Sequence, residues 1–301
     1  MKTKVAYEKT EGERQIIVLK TNGCSYGKCS MCGFFKHCAR NVTSADLAAQ
    51  FDGAIKEGVK ELHLLGSGSF FDDKEVPEEF QRYVFERINE EKALKRIILE
   101  SRPEYITEKK LEMIKAKAVG KEVCIAIGLE SRNNRIRNKV LKKGIGIGAF
   151  EKVAERMAQY GIGLQAYILV NPPGLTEKDA VEDAVRTAEY VFCMGKKLGA
   201  KVKAAFQPAF IARDTDLEKL FEAGKYKLIN LWAVLEIIKR THKMGNISAG
   251  LDTEGLADYY PKGCARCDAA IREAITAFNA TQDIEVINKI ACGCSKGEKN
   301  A

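Results

Sequence analysis

The residues with the most chemical potential are three thiols in the stretch 21–35, at Cys24, Cys29 and Cys32. They follow directly on an apolar run, and Gly23, Ser25, Gly27, Ser30 and Gly33 keep the backbone around them small and pliable. Thiolates are the ligands that soft iron sites select, and a Cys-X2-Cys pair can bend round one edge of a cluster while a third thiol closes the face. Three ligands rather than four is the informative number. A cubane cluster held by three protein sulfurs leaves one iron open, and an open iron can bind a molecule that reacts.

A second group of thiols lies in the tail, Cys264-Ala265-Arg266-Cys267 and Cys292-Gly293-Cys294, with a helix-like segment between the pairs. Two pairs at the ends of a helical hairpin suit a four-cysteine zinc site, with an auxiliary iron-sulfur cluster as the competing metal. Cys38, Cys124 and Cys193 have no such spacing, and the last two lie in apolar strand and helix contexts where a free thiol acts as a small hydrophobe. With three histidines and no phosphate-binding P-loop, hydrolase-type acid-base chemistry has little material. His63 reads as a core or edge strand residue, and His37 lies near the cysteine loop without a motif around it.

Elements that could position these groups alternate along the chain. Apolar runs at 15–20, 61–65, 96–100, 123–127, 164–170 and 202–206 read as strands. Helical periodicity fills 44–56, 78–88, 109–117, 150–160, 177–194 and 228–242. That alternation predicts a parallel sheet with helices outside it. Six units are fewer than a closed eight-fold barrel needs, so the expected fold is α/β, a partial (β/α)6 TIM-type barrel whose open side other segments cover. Residues 1–245 read as the barrel with its N-terminal cluster loop, and 246–301 as a small C-terminal Cys-rich extension in which 246–251 adds a strand. In parallel α/β folds chemistry gathers at the carboxyl ends of strands. Here those ends hold the cysteine loop, Gly66-Ser67-Gly68, Glu100-Ser101-Arg102, Gly128-Leu129-Glu130-Ser131-Arg132, Asn171 and Gln207.

The 301 residues carry 49 Lys+Arg against 41 Asp+Glu, a net charge of +8, compatible with an anionic partner such as RNA without requiring one. Pairs such as Lys109-Lys110 and Lys196-Lys197 read as solvated helix faces. Nothing in the chain reads as a signal peptide or a bilayer span, so the expected location is the cytoplasm, without a membrane partner. Ten cysteines in a reducing compartment then point to metal rather than to disulfides.

The cysteine loop on a first strand, the small-residue loop on the second and Gly128-Leu129-Glu130 on the fourth resemble the radical S-adenosylmethionine (SAM) superfamily over roughly residues 15–210. That resemblance implies a [4Fe-4S] cluster on Cys24, Cys29 and Cys32, with SAM chelating the open iron. One electron then cleaves the sulfonium to methionine and a 5'-deoxyadenosyl radical that abstracts hydrogen. It further implies cofactor contacts from Gly66, Ser67 and Gly68, from Glu130 with Ser131 or Arg132, and from Asn171, with Tyr26 and Met31 packed round cluster and adenine. Four residues separate Cys24 from Cys29 where the commonest pattern has three, a longer spacing found in branches that act on tRNA.

Together with Ser67-Gly68-Ser69-Phe70, Glu75-Val76-Pro77, Glu100-Ser101-Arg102-Pro103-Glu104 and Phe278-Asn279-Ala280-Thr281-Gln282-Asp283, these residues look like the radical-subunit family of archaeosine synthase, related to the Elongator catalytic-subunit fold. That family implies an archaeal lyase with a partner subunit that attaches lysine to a 7-cyano-7-deazaguanine base of tRNA. The radical enzyme cleaves the lysine carbon-nitrogen bond and leaves archaeosine. Glu100, Arg102 and Gln207 would line the substrate pocket, and a ferredoxin or flavodoxin would supply the electron. The alternatives are another radical SAM modification of tRNA, or a non-catalytic iron-sulfur or zinc module that binds RNA.

Overall fold

The computed structural model describes residues 2–296. The chain opens with a hairpin, β1 (Tyr7–Glu11) antiparallel to β2 (Arg14–Val18). From β2 onward the strands run parallel: β3 (Glu61–Leu65), β4 (Arg96–Glu100), β5 (Glu122–Gly128), β6 (Gly163–Val170) and β7 (Val202–Pro208). After β8 (Ile211–Ala212) comes β9 (Asn246–Ala249), which pairs parallel with β7 and makes the sheet order β1-β2-β3-β4-β5-β6-β7-β9. A short ribbon joins β8 to β10 (Ala257–Tyr259). The helices between the strands are α1 (Ser44–Ala54), α2 (Glu78–Glu90), α3 (Glu108–Lys117), α4 (Ile147–Gln159), α5 (Glu177–Leu198), α6 (Asp216–Glu222) and α7 (Leu231–Thr241). The tail adds α8 (Asp268–Thr281) and α9 (Glu285–Asn288).

Alternation along each strand sorts side chains between two environments. Leu62 and Leu64 of β3, Ile97 and Leu99 of β4, and Ile125 and Ile127 of β5 lie in one core with Phe51 of α1 and Phe80 and Phe85 of α2, all essentially without exposure. Each such side chain contributes about 1.5–3 kcal/mol of burial. Between them on the strands lie Glu100, Ala126, Gly128, Tyr167, Leu169 and Gln207, which line a cavity on the other face. The sheet is therefore a curled half-barrel, helices outside and a polar lumen within.

Local chemistry sets the element ends. Thr43 caps α1 in a reciprocal box, its Oγ1 accepting from Asp46 N at 3.1 Å while Thr43 N donates to Asp46 Oδ2 at 2.9 Å. The helix expected to reach Lys56 stops at Ala54. Three further features differ from the sequence reading. β1, whose side chains are polar and largely exposed, was not anticipated. The division at 245/246 falls between α7 and β9, yet β9 completes the edge of the main sheet, so the sheet runs across it. Lys110, read as solvated, is buried, with Nζ 2.5 Å from Asp73 Oδ1.

β1 and β9, the two ends of the sheet, are bridged by side chains rather than by a ladder. Tyr7 Oη donates to Asp252 Oδ2 at 2.8 Å and Lys9 Nζ to the same oxygen at 3.0 Å. The loop after β9 is thus pinned across the open side of the barrel.

Candidate active site

The cavity lies at the carboxyl ends of the parallel strands, and the cysteine loop after β2 forms one wall with Cys24, Cys29, Met31 and Cys32. Burial pushes the Cys32 thiol up to about 11 and raises that of Cys29, which the Lys143 ammonium partly offsets. The second wall is 66–68. A Cβ built on Gly68 would stand 2.6 Å from Glu75 Oε2 and 2.8 Å from Cys24 Sγ, so only glycine lets this backbone approach the first thiol. Glu75 ties the two walls together: its Oε1 accepts from Thr21 Oγ1 at 2.8 Å and its Oε2 from Ser69 N at 2.7 Å. Burial lifts its carboxyl to about 7.

Glu130 reaches the cavity from the end of β5 in a left-handed conformation, φ +63°, and its Oε1 meets Lys143 Nζ at 2.7 Å. Burial disfavours the Lys143 charge, but Glu130 and then Cys29 outweigh it and keep the ammonium ionised. Gly128 makes room, since a Cβ there would collide with Lys143 Nζ. Arg102 lies with its guanidinium carbon 3.9 Å from the centre of the Tyr26 ring, donating to Glu104 Oε1 at 2.5 Å and to Lys143 O at 2.9 Å. It clamps the cysteine loop against 143–144. Glu100 is half-buried opposite Tyr167, whose hydroxyl hydrogen-bonds it, and desolvation raises its carboxyl to about 7.

Of the residues singled out in the sequence, Cys24, Cys29, Cys32, Gly66, Ser67, Gly68, Glu100, Arg102, Glu130 and Gln207 line this one cavity. Three do not. Ser131 is fully buried away from it, its Oγ donating to Asp183 Oδ1 of α5 at 2.8 Å. Arg132 is exposed on the rim side of α5, held by its backbone N to Thr187 Oγ1 at 3.0 Å. Asn171 donates to Tyr226 Oη and Lys227 O at 3.0 and 2.9 Å and borders a separate depression. Unanticipated in the lining are Lys143, Tyr167, Asp252 and Glu254. The last two follow the strand already suspected at 246–251, so the strand-end rule would have reached them.

The family model described as the Radical SAM superfamily matches residues 18–186. The chain belongs to the radical SAM superfamily. An uncharacterised protein of Methanocaldococcus jannaschii is 34% identical over 301 residues, 94% of this chain and 80% of that protein. Two proteins named archaeosine synthase subunit beta also match, from Methanosarcina acetivorans (25% identical, 93% of this chain and 82% of that one) and Thermococcus kodakarensis (28%, 94% and 90%). Among solved structures, archaeal Elp3 from Methanocaldococcus infernus shares the fold, with a TM-score of 0.53 at 15% identity over 78% of this chain and 57% of that one.

Radical SAM enzymes use a [4Fe-4S] cluster and SAM, and the cavity fits both. Three thiols converge on it, the glycine backbone of 66–68 leaves a cradle that a Cβ would fill, and Ser67 Oγ is buried beside it with no hydrogen-bond partner among the described residues. Cys24, Cys29 and Cys32 would hold the cluster, and 66–68 with Glu130 would receive SAM.

The tail thiols form a second centre. Cys264 Sγ is 3.5 Å from Cys267 Sγ and 3.7 Å from Cys292 Sγ, Cys267 Sγ is 3.6 Å from Cys294 Sγ, and all four lie within 4.8 Å of one another. Four sulfurs about 2.3 Å from one zinc are about 3.8 Å apart, whereas a cubane sets its cysteine sulfurs outside four separate irons and much wider. The spacing therefore fits a single tetrahedral ion. The Arg266 backbone N–H, then neighbouring thiols, lower the Cys264 thiol, whereas burial raises those of Cys267 and Cys294, so Cys264 is the first of the coupled group to ionise.

Proposed function

We propose that this radical SAM enzyme is the lyase of archaeosine formation, cleaving the lysine carbon-nitrogen bond of a lysine-modified 7-cyano-7-deazaguanine base in tRNA. The observation that carries the reading is the match to two proteins named archaeosine synthase subunit beta, each over more than nine-tenths of this chain. When bound, the cluster and SAM supply a 5'-deoxyadenosyl radical that takes hydrogen from the lysine side chain. The protein's own part is to position and seclude. Glu75 and Gly68 hold the cysteine and cofactor loops in contact, and Arg102 clamps the cysteine loop from β4. Glu100, Tyr167 and Gln207 face the space left for substrate.

On this reading the partners are tRNA, the subunit that attaches lysine, and a ferredoxin or flavodoxin as electron donor. Among the described residues no helix is long and apolar enough to cross a membrane, and the lyase reading itself puts the enzyme with tRNA in the cytoplasm. The test is anaerobic reconstitution with iron and sulfide, then dithionite, SAM and tRNA bearing the lysine-modified base. The expected outcome is 5'-deoxyadenosine together with archaeosine in the tRNA digest. Cys29→Ala should abolish both and lower bound iron. A loaded enzyme that makes 5'-deoxyadenosine but leaves this tRNA unchanged would refute the lyase reading.

A further inference from the structure

Glu254 is an unusual residue to find in a cavity wall. It sits in the loop after β9 with φ +51°, a left-handed conformation that non-glycine residues adopt at a cost. Its backbone is held from both sides: Glu254 N donates to Asp252 Oδ1 at 2.7 Å, and the Glu254 carbonyl is 2.8 Å from His37 Nε2. Asp252 is in turn fastened by Tyr7 and Lys9 of β1. Every one of these anchors uses main chain or a neighbour, and the Glu254 side chain takes part in none.

That side chain faces the cavity, and its Oε2 is shielded from water with no hydrogen-bond partner among the described residues. A buried carboxylate oxygen without a donor is expensive and is retained where something else supplies the donor. The groups around it sharpen the point. Glu100 on β4 and Asp252 are also acidic, Tyr167 of β6 already interacts with Glu100, and Arg14, a cation, has the weakest of the four main influences on Glu254. Burial, then repulsion from Glu100, raises the Glu254 carboxyl to about 8.

We propose that Glu254 and Glu100 together receive a primary ammonium group of the substrate, at the side of the cavity formed by β4, β6 and the loop after β9. Two carboxyl groups facing one cavity suit a compact charge with three donors, whose arrival favours their ionised form. Gln207 adds an amide oxygen, and Leu169 and Ala209 an apolar wall for an alkyl chain. This deepens the lyase reading and rests on it: lysine has two amines, one joined to the base, and the free one is the group received here. Glu254 would thus be a specificity residue that tells a lysine adduct from the bare base.

The test compares two tRNA substrates on the reconstituted enzyme, one with the lysine-modified base and one with the free amine of that lysine acetylated. Wild type should show at least a tenfold higher KM for the acetylated form with kcat changed much less. Glu254→Gln, which keeps shape and backbone contacts, should bring the two KM values together. Equal KM values in wild type, or discrimination that survives Glu254→Gln, would overturn the amine site and leave the lyase reading standing. If neither tRNA reacts, that reading fails by itself, and the site is tested by calorimetric titration of n-pentylamine against n-pentanol, which differ only in the ammonium. Tighter binding of the amine, lost in Glu254→Gln, supports it; equal affinity overturns it.

Discussion

At the scale of single residues, the site depends on close approaches that tolerate no extra atom. Gly68 is the sharpest case, because Cys24, Glu75 and its own backbone meet where a Cβ would be. Gly68→Ala should cost about 1–3 kcal/mol of stability and lower bound iron after reconstitution, read by denaturant unfolding and iron analysis. The buried carboxyls give a pH signature. Glu254 titrates near 8 in the folded chain against 4.5 when unfolded, so its contribution to stability is whole below pH 4.5 and is lost as pH rises towards 8. Glu100, Asp252 and Tyr167 face it, with Arg14 as the distant counter-charge. Glu254→Gln removes this loss, so its Tm should match wild type near pH 5 and exceed it by about 1–4 °C near pH 8 in a calorimetric series.

At the scale of elements, the strands at 61–65 and 96–100 were readable to the residue because short apolar stretches, Leu62 with Leu64 and Leu65 and Ile97 to Leu99, are bounded by charged residues at both strand starts. The cysteine loop was readable from its spacing. β1 was not, since an edge strand with an exposed face carries no apolar period. Ser131 shows a different limit: its place after β5 was visible, but not that the backbone would turn its hydroxyl to Asp183 on α5. Lys143 was hidden because its burial comes from segments far off in the chain, and a charged loop residue reads as solvated by default. The bridge from β1 to the loop after β9 is itself testable. Asp252→Asn turns an acceptor for Lys9 and Tyr7 into a weaker partner and should cost about 1–2 kcal/mol, measured by chemical denaturation.

At the scale of the whole molecule, two cysteine clusters that could each hold metal divide the work. The N-terminal one opens onto the cavity, while the tail site joins the start of α8 to the segment after α9 and packs against the core that carries α7. Its loss should loosen the tail before it affects the chemistry. Cys267→Ser should lose one equivalent of zinc and several degrees of Tm, yet keep four irons and 5'-deoxyadenosine formation at low temperature, by metal analysis and product assay. A chelator acting on wild type should reproduce the Tm change.

The chain has a single tryptophan, Trp232 at the start of α7, and its indole N–H donates to Cys294 Sγ at 3.3 Å. The tail centre therefore comes with its own optical probe. Emission excited in the indole band reports one location only, so metal uptake, release or thiol oxidation there can be followed in real time while the iron centre is read separately by its visible absorbance.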